Sequence, residues 1–180
     1  MKVSKVILVK DKYIIIVVLT TIATFFFFYT SQSKKYDCTS PFYANFMAFN
    51  NPCNTLFEGL GSIEGEKPFR WAYGPMTTIT FISTRIHDCF ITYQISNVTP
   101  NQTLQIYANE TLLKEYVNIP IQHNLSPWVS ARLKFTTIHG INKISFKYKY
   151  WSHNGFVLNN SDSRPFALAF TKLQLFAPSR

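Results

Sequence analysis

"WVSARLKFTTIHGINKISFKYKYW" (Trp128–Trp151) decides the fold class. In its first half Val129, Ala131, Leu133 and Phe135 fall on one face, with Ser130, Arg132 and Lys134 between them. In its second half Ile144, Phe146, Tyr148 and Tyr150 share a face, separated by Ser145, Lys147 and Lys149. Alternation with a period of two belongs to half-buried strands, because successive side chains leave a strand on opposite sides. His139-Gly140 between the halves is a tight-turn dipeptide. The spacing predicts a hairpin with Phe135 facing Ile144, Leu133 facing Phe146, Ala131 facing Tyr148 and Val129 facing Tyr150. Both apolar faces then coincide, which is the usual constraint on register. The other face would set Trp128 opposite Trp151, Arg132 opposite Lys147, and Lys134 near Lys143. Like charges in opposed positions cost stability, so such a basic strip is either solvated surface or a binding face.

The same pattern continues on both sides. From Phe69 onward the strand candidates are 69–73, 77–84, 89–96, 103–108, 112–117, 129–137, 143–151 and 166–176. Gly74-Pro75, "NVTPNQ", "NIPIQHNLSP", "HG" and "NNSDSRP" punctuate them. Short strands at this spacing, with no long helical periodicity, predict an all-β antiparallel sandwich of jelly-roll-like form. The 17 Phe and 10 Tyr suit pleated, half-buried surfaces. The last strand, "RPFALAFTKLQLF", alternates poorly: Phe166, Leu168 and Phe170 share one side, Ala167, Ala169, Leu173 and Leu175 the other. It is expected centrally in a sheet, buried on both sides or bulged near Thr171–Lys172.

The N-terminal part reads differently. Tyr13 to Tyr29 carries no charge, and Lys2, Lys5, Lys10 and Lys12 precede it. Its 17 residues reach the short end of a membrane-spanning helix. The lysines place the N-terminus in the cytoplasm and the remainder outside. A cleavable signal is the alternative, with Ser31-Gln32-Ser33 as a small-x-small site. Of the +9 formal charge, residues 1–35 carry +5. That pattern suits membrane topology, and an exported domain has no nucleic acid to meet. The expected organisation is a cytoplasmic N-terminus (1–12), a single transmembrane anchor (13–30), a turn-rich stalk and entry loop (31–65) and the β-sandwich (66–180), periplasmic or extracellular. The apolar "PFYANFMAF" within the stalk is expected to pack on the domain. Outside the cell Cys38 and Cys53 could close a disulfide, which leaves Cys89 as a buried thiol; three cysteines cannot all pair within one chain, and sequence does not fix connectivity. Five Asn-x-Ser/Thr sites occur, at Asn97, Asn101, Asn109, Asn124 and Asn159.

Chemistry-bearing residues are few. Neither GxSxG nor a Cys/His spacing for zinc occurs, and no cofactor is implied. Glu64 and Glu66 are two apart in a Gly-rich loop, the only pairing that would suit a glycan hydrolase. Two segments stand out as ligand contacts. In "IEGEKPFRWAYG" (63–74), Glu64, Arg70 and Trp71 combine a flat ring with hydrogen-bonding groups suited to sugars. In "KYKYWSHNG" (147–155), Lys147 and Trp151 do the same, beside Arg132. The competing reading puts Trp71 in the core and pairs Arg70 with Glu64 or Glu66.

"GLGSIEGEKPFRWAYGPMTTITF" together with "NNSDSRPFALAFTKLQL" resembles a β-sandwich module of bacterial envelope proteins, one fused to or encoded near polytopic membrane glycosyltransferases. The matching positions are Glu64, Arg70, Trp71, Asp162 and Arg164, over roughly residues 58–176; the chain departs where Pro165 and Phe166 follow the arginine. The resemblance implies a galactose-binding-like or jelly-roll architecture, associated with carbohydrate rather than catalysis. The expected function is binding or presenting envelope carbohydrate, or assisting a membrane glycosyltransferase, with the lipid bilayer as a partner. The alternatives are a structural or protein-interaction module and, third, a glycan-acting hydrolase.

Overall fold

The computed structural model describes residues 42–48, 55–122, 125–153, 155–156 and 162–178. The strands are β1 (Phe42–Asn45), β2 (Leu56–Glu58), β3 (Leu60–Glu64), β4 (Phe69–Tyr73), β5 (Met76–Ser83), β6 (Asp88–Asn97) and β7 (Gln102–Ala108). They continue with β8 (Thr111–Ile119), β9 (Val129–Thr136), β10 (Gly140–Tyr148), β11 (Trp151–Ser152), β12 (Gly155–Phe156) and β13 (Phe166–Ala177). Among the described residues there is no helix. The apolar run Tyr13–Tyr29, Cys38 and Cys53 lie outside the described residues.

Two antiparallel sheets form the sandwich. The first has the order β3–β4–β13–β6–β9, with β1 also on β13; the second runs β2–β5–β10–β7–β8. A short parallel pair, β11–β12, stands apart. All eight expected strands are present. β13 lies between β4 and β6, and its register with β6 slips between Phe170 and Lys172, at the expected bulge. Its first half pairs with β4 and its last four residues with β1.

The core is built by aromatic rings that reach across the layers. Phe146 of the second sheet meets Phe170 and Tyr93 of the first edge-on, at 5.1 and 5.8 Å between centroids. Phe81 meets Phe135 edge-on as well, and Phe42 at a tilt of 52°. Edge-to-face contact sets the positive rim of one ring against the negative face of another, which favours these pairs beyond their burial.

Two expectations are corrected. The hairpin between β9 and β10 does not form: β9 pairs with β6, and β10 lies between β5 and β7 in the other sheet. Their apolar faces meet the same core from opposite layers. Arg132 therefore stands beside Thr92, and Lys147 beside Met76 and Gln105, so the costly Arg132–Lys147 opposition disappears. The stretch read as stalk and entry loop supplies β1, β2 and β3, each paired into a sheet. Phe42 and Ala44 point inward from β1, and Phe46, just past its end, is also buried, so the described part of that stretch, 42–48, packs on the domain through a strand.

Candidate functional site

The two segments at the ends of the resemblance meet. Arg164, just before β13, donates from Nη1 to Glu64 Oε1 at 2.7 Å and from Nη2 to Asp162 Oδ2 at 2.8 Å. Its Nε lies 3.1 Å from both Asp162 carboxylate oxygens, and its guanidinium covers the Phe166 ring at 4.6 Å. The other Glu64 oxygen accepts from Trp71 Nε1 at 3.2 Å. Bonds to Asp162, Glu64 and Tyr73 raise the Arg164 pKa above the ordinary arginine value. The Arg164 side chain and backbone N–H hold the Asp162 carboxyl below the usual carboxylate range. Trp71 is wedged between the Phe69 edge (5.3 Å) and Phe166 (4.6 Å). This corner is saturated by its own partners. It braces the entry of β13 against the β3–β4 edge.

The remaining expected contacts are dispersed. Arg70 points inward and is 5% exposed; Nη1 donates to the Gly61 carbonyl at 3.3 Å, and the guanidinium lies 5.1 Å from the Phe57 ring centroid. It pairs with neither Glu64 nor Glu66. Burial lowers its pKa. Arg132 lies flat on the first sheet's outer face, 4.0 Å over Phe90. Trp151 is half-buried, and its indole occupies the space where Gly74 would carry a Cβ. Lys147 is on the second sheet's outer face. Glu64 and Trp71 meet, whereas Arg70, Arg132, Lys147 and Trp151 join no common site.

Lys147 borders the more open surface. Along β10, Ile141, Lys143, Ser145 and Lys147 point outward by alternation, and Lys149 just past its end is exposed too. On the neighbouring strands Thr78 and Tyr107 flank Ser145, while Met76 and Gln105 flank Lys147. The short Ser145 side chain in mid-sheet, set among longer neighbours such as Tyr107, Lys143 and Lys147, leaves a trough. It measures about 670 Å³, and Tyr107, Asn109, Glu110, Lys143, Ser145 and Lys147 are among its lining. Lys147 Nζ lies 4.5 Å from the Tyr107 ring centroid, and the Tyr107 hydroxyl donates to Gln105 Oε1 at 3.0 Å. Asn109 is fixed by donating to Asn142 Oδ1 and accepting from the Lys143 N–H, both at 2.9 Å. A smaller recess bordered by Thr103, Gln105 and Lys149 adjoins it at Lys147. Sequence reasoning passed over Tyr107 and named Asn109 only as an Asn-x-Thr site. Alternation with Leu104 and Ile106 already turns Tyr107 outward, but only the sheet order brings it beside β10.

A second trough, about 610 Å³, crosses the first sheet between the β3–β4 turn and Leu125–Pro127. Phe69, Pro68, Leu125 and Pro127 make it mainly apolar. Among the described residues no three His, Cys, Asp or Glu side chains cluster to hold a metal ion.

No family model matches the chain, and no curated protein matches it. Among solved structures it is similar to a native family 35 carbohydrate binding module from Clostridium thermocellum, with 12% identity, 77% of this chain and 99% of that chain covered, and a TM-score of 0.42. It is likewise similar to CBM35 from Cellvibrio japonicus Abf62 (12% identity, 70% and 95% covered, TM-score 0.41). A third is Xyl-CBM35 in complex with a glucuronic acid containing disaccharide (15% identity, 69% and 94% covered, TM-score 0.42). Overlays this loose bring no ligand and no residue role with them.

Proposed function

We propose that this chain is a non-catalytic carbohydrate-binding protein of jelly-roll-like build, and that its ligand lies in the trough on the outer face of β5, β10 and β7. The observation that carries the reading is the trough's mixture of groups: one ring, Tyr107, beside the amide, hydroxyl and ammonium groups of Asn109, Ser145 and Lys143. A pyranose offers an apolar C–H face and a rim of hydroxyls, and a concave site with few fixed polar groups is suited to both. Four of the described acids are engaged elsewhere: Glu64 and Asp162 bind Arg164, Asp88 binds Lys134, and Glu115 accepts from Gln105. Glu110 is the lone carboxylate lining the trough, whereas glycoside hydrolysis needs a pair. The decisive experiment is affinity electrophoresis in gels containing soluble polysaccharides, comparing the parent protein with Tyr107→Ala. Retarded migration of the parent that is lost in a normally melting Tyr107→Ala supports the reading. Equal migration of the two in every gel overturns it.

A protein-interaction role is the second reading. It is favoured by Leu56, Ile82 and Ile141, which stand exposed on the same sheet, Leu56 by 71% and Ile141 by 66%. The proposal also keeps the sandwich outside the cell, tethered by residues 13–30, on the strength of the uncharged run and its flanking lysines. A membrane glycosyltransferase as partner rests on the resemblance of the two end segments. Crosslinking in intact membranes, followed by identification of the captured enzyme, tests that part.

A further inference from the structure

We propose that the trough selects acidic glycans, which rests on the carbohydrate reading above and specifies its ligand class. β10 presents Lys143 and Lys147 on one outer face, and Lys149, one residue past the strand's end, is exposed as well. At a strand's rise per residue, Lys143 and Lys147 stand about 13 Å apart, and Lys149 follows just past the strand. Three other cations of the described surface are committed elsewhere. Lys134 is paired with Asp88, Arg164 with Asp162 and Glu64, and Arg132 is stacked on Phe90 and Phe176. None of the ion pairs among the described residues includes Lys143, Lys147 or Lys149.

The opposing charges near the row are Glu110, Glu115 and Glu58. Glu115 is held by Gln105 at 2.7 Å, Glu58 lies on β2 beside Thr78, and Glu110 lines the trough at the β7–β8 turn. Within the trough itself one carboxylate faces two lysines, and the adjoining recess adds a third lysine, while Glu115 and Glu58 lie outside both linings. Lys147 and Lys149 each rest against a tyrosine ring, Tyr107 at 4.5 Å and Tyr150 at 5.0 Å. Such contacts orient an ammonium without neutralising it. Unneutralised cations in a recess attract anions and exact little from a neutral sugar. A repeating acidic glycan laid along β10 would meet successive lysines, and its rings would meet Tyr107.

Calorimetric titration of the full chain in detergent tests this with four probes: oligogalacturonate, the same oligomers with their carboxyls reduced to alcohols, dextran, and dextran sulfate. The expected result is at least tenfold tighter binding of an acidic probe than of its neutral counterpart, weakening as salt rises. Lys143→Gln/Lys147→Gln is expected to erase that preference. Lys67→Gln, an equal loss per site at the exposed β3–β4 turn, is expected to leave it unchanged. Preference for oligogalacturonate assigns the anion as carboxylate, and preference for dextran sulfate assigns it as sulfate. Equal affinity for acidic and neutral probes overturns the charge selection and leaves the glycan reading intact. So does an equal effect of Lys67→Gln, which would mark bulk attraction by a basic protein. Binding of dextran sulfate alone that survives Tyr107→Ala removes the glycan reading as well.

Discussion

At the scale of single residues, polar side chains are used as internal ties. Gln102 is fully buried; it donates to the carbonyls of Tyr150 and Ala167 and accepts from the N–H groups of Lys149 and Tyr150. Asn97 is buried too, with Nδ2 donating to the Thr99 and Ile119 carbonyls, so its Asn-x-Thr sequence is explained by packing. Asn101, in the next turn, is exposed with φ +53°. Arg164 is the tie with a measurable pH signature. Its hydrogen bonds stabilise the charged form of Asp162, so the folded pKa lies below the unfolded one. The stabilisation is complete above the unfolded value and is lost as pH falls through the folded value. The Asp162 carboxyl resonance is expected to titrate with a midpoint below ~3.9. The melting-temperature gap between the parent and Asp162→Asn is expected to narrow as the solution is acidified through that midpoint. A midpoint at or above the model-peptide value would show that the contact does not persist in solution.

At the scale of elements, the instructive case is the corner between β9 and β10. Alternation assigned each face correctly: Phe135, Ile144, Phe146 and Tyr148 are buried, while Arg132, Lys134, Lys143 and Lys147 are exposed. Pairing was not legible, because two strands whose apolar faces meet one core can lie side by side or across it. The deciding residue is Asn142, a polar position inside an otherwise apolar face. It is fully buried; Oδ1 accepts from the Ile138 N–H at 2.8 Å, and Nδ2 donates to the Ile138 and Gly140 carbonyls at 2.9 and 3.0 Å. Those bonds hold a turn that carries the chain from one layer to the other. Replacing Asn142 by Leu leaves the part-buried backbone groups of Ile138 and Gly140 without their partner and is expected to cost about 1–3 kcal/mol. Thermal unfolding of Asn142→Leu reads that loss directly, and an unchanged melt would mean the corner is set by strand pairing alone. The candidate site divides in the same way. The Glu64–Trp71–Arg164–Asp162 meeting was foreshadowed by two segments a hundred residues apart. The trough beside Lys147 depends on β5 and β7 flanking β10, an order that no local pattern encodes.

At the scale of the whole molecule, the question is how much of the chain the sandwich requires. The turn-rich composition of residues 31–65 hid three strands, because β1, β2 and β3 are only 3–5 residues long and stand among turn residues such as Pro52, Gly59 and Gly65. Yet β1 completes the flank of β13 beyond β4, and Phe42 and Phe46 close over Phe81 and Phe57. Truncating one buried Phe to Ala costs about 3–5 kcal/mol. Two such losses approach the roughly 5–15 kcal/mol that keeps an ordinary domain folded. Deletion of β1 to β3 also strips partners from β13, β5 and β4 and uncovers their backbone groups. A chain beginning at residue 66 is therefore expected to lack a cooperative thermal transition and to aggregate. A chain beginning at residue 37 retains every described strand and is expected to melt sharply. Circular dichroism melts of the two chains under the same buffer separate the outcomes. A sharp transition in the shorter chain would make the early strands an accessory layer; its absence makes them part of the sandwich on which the trough depends.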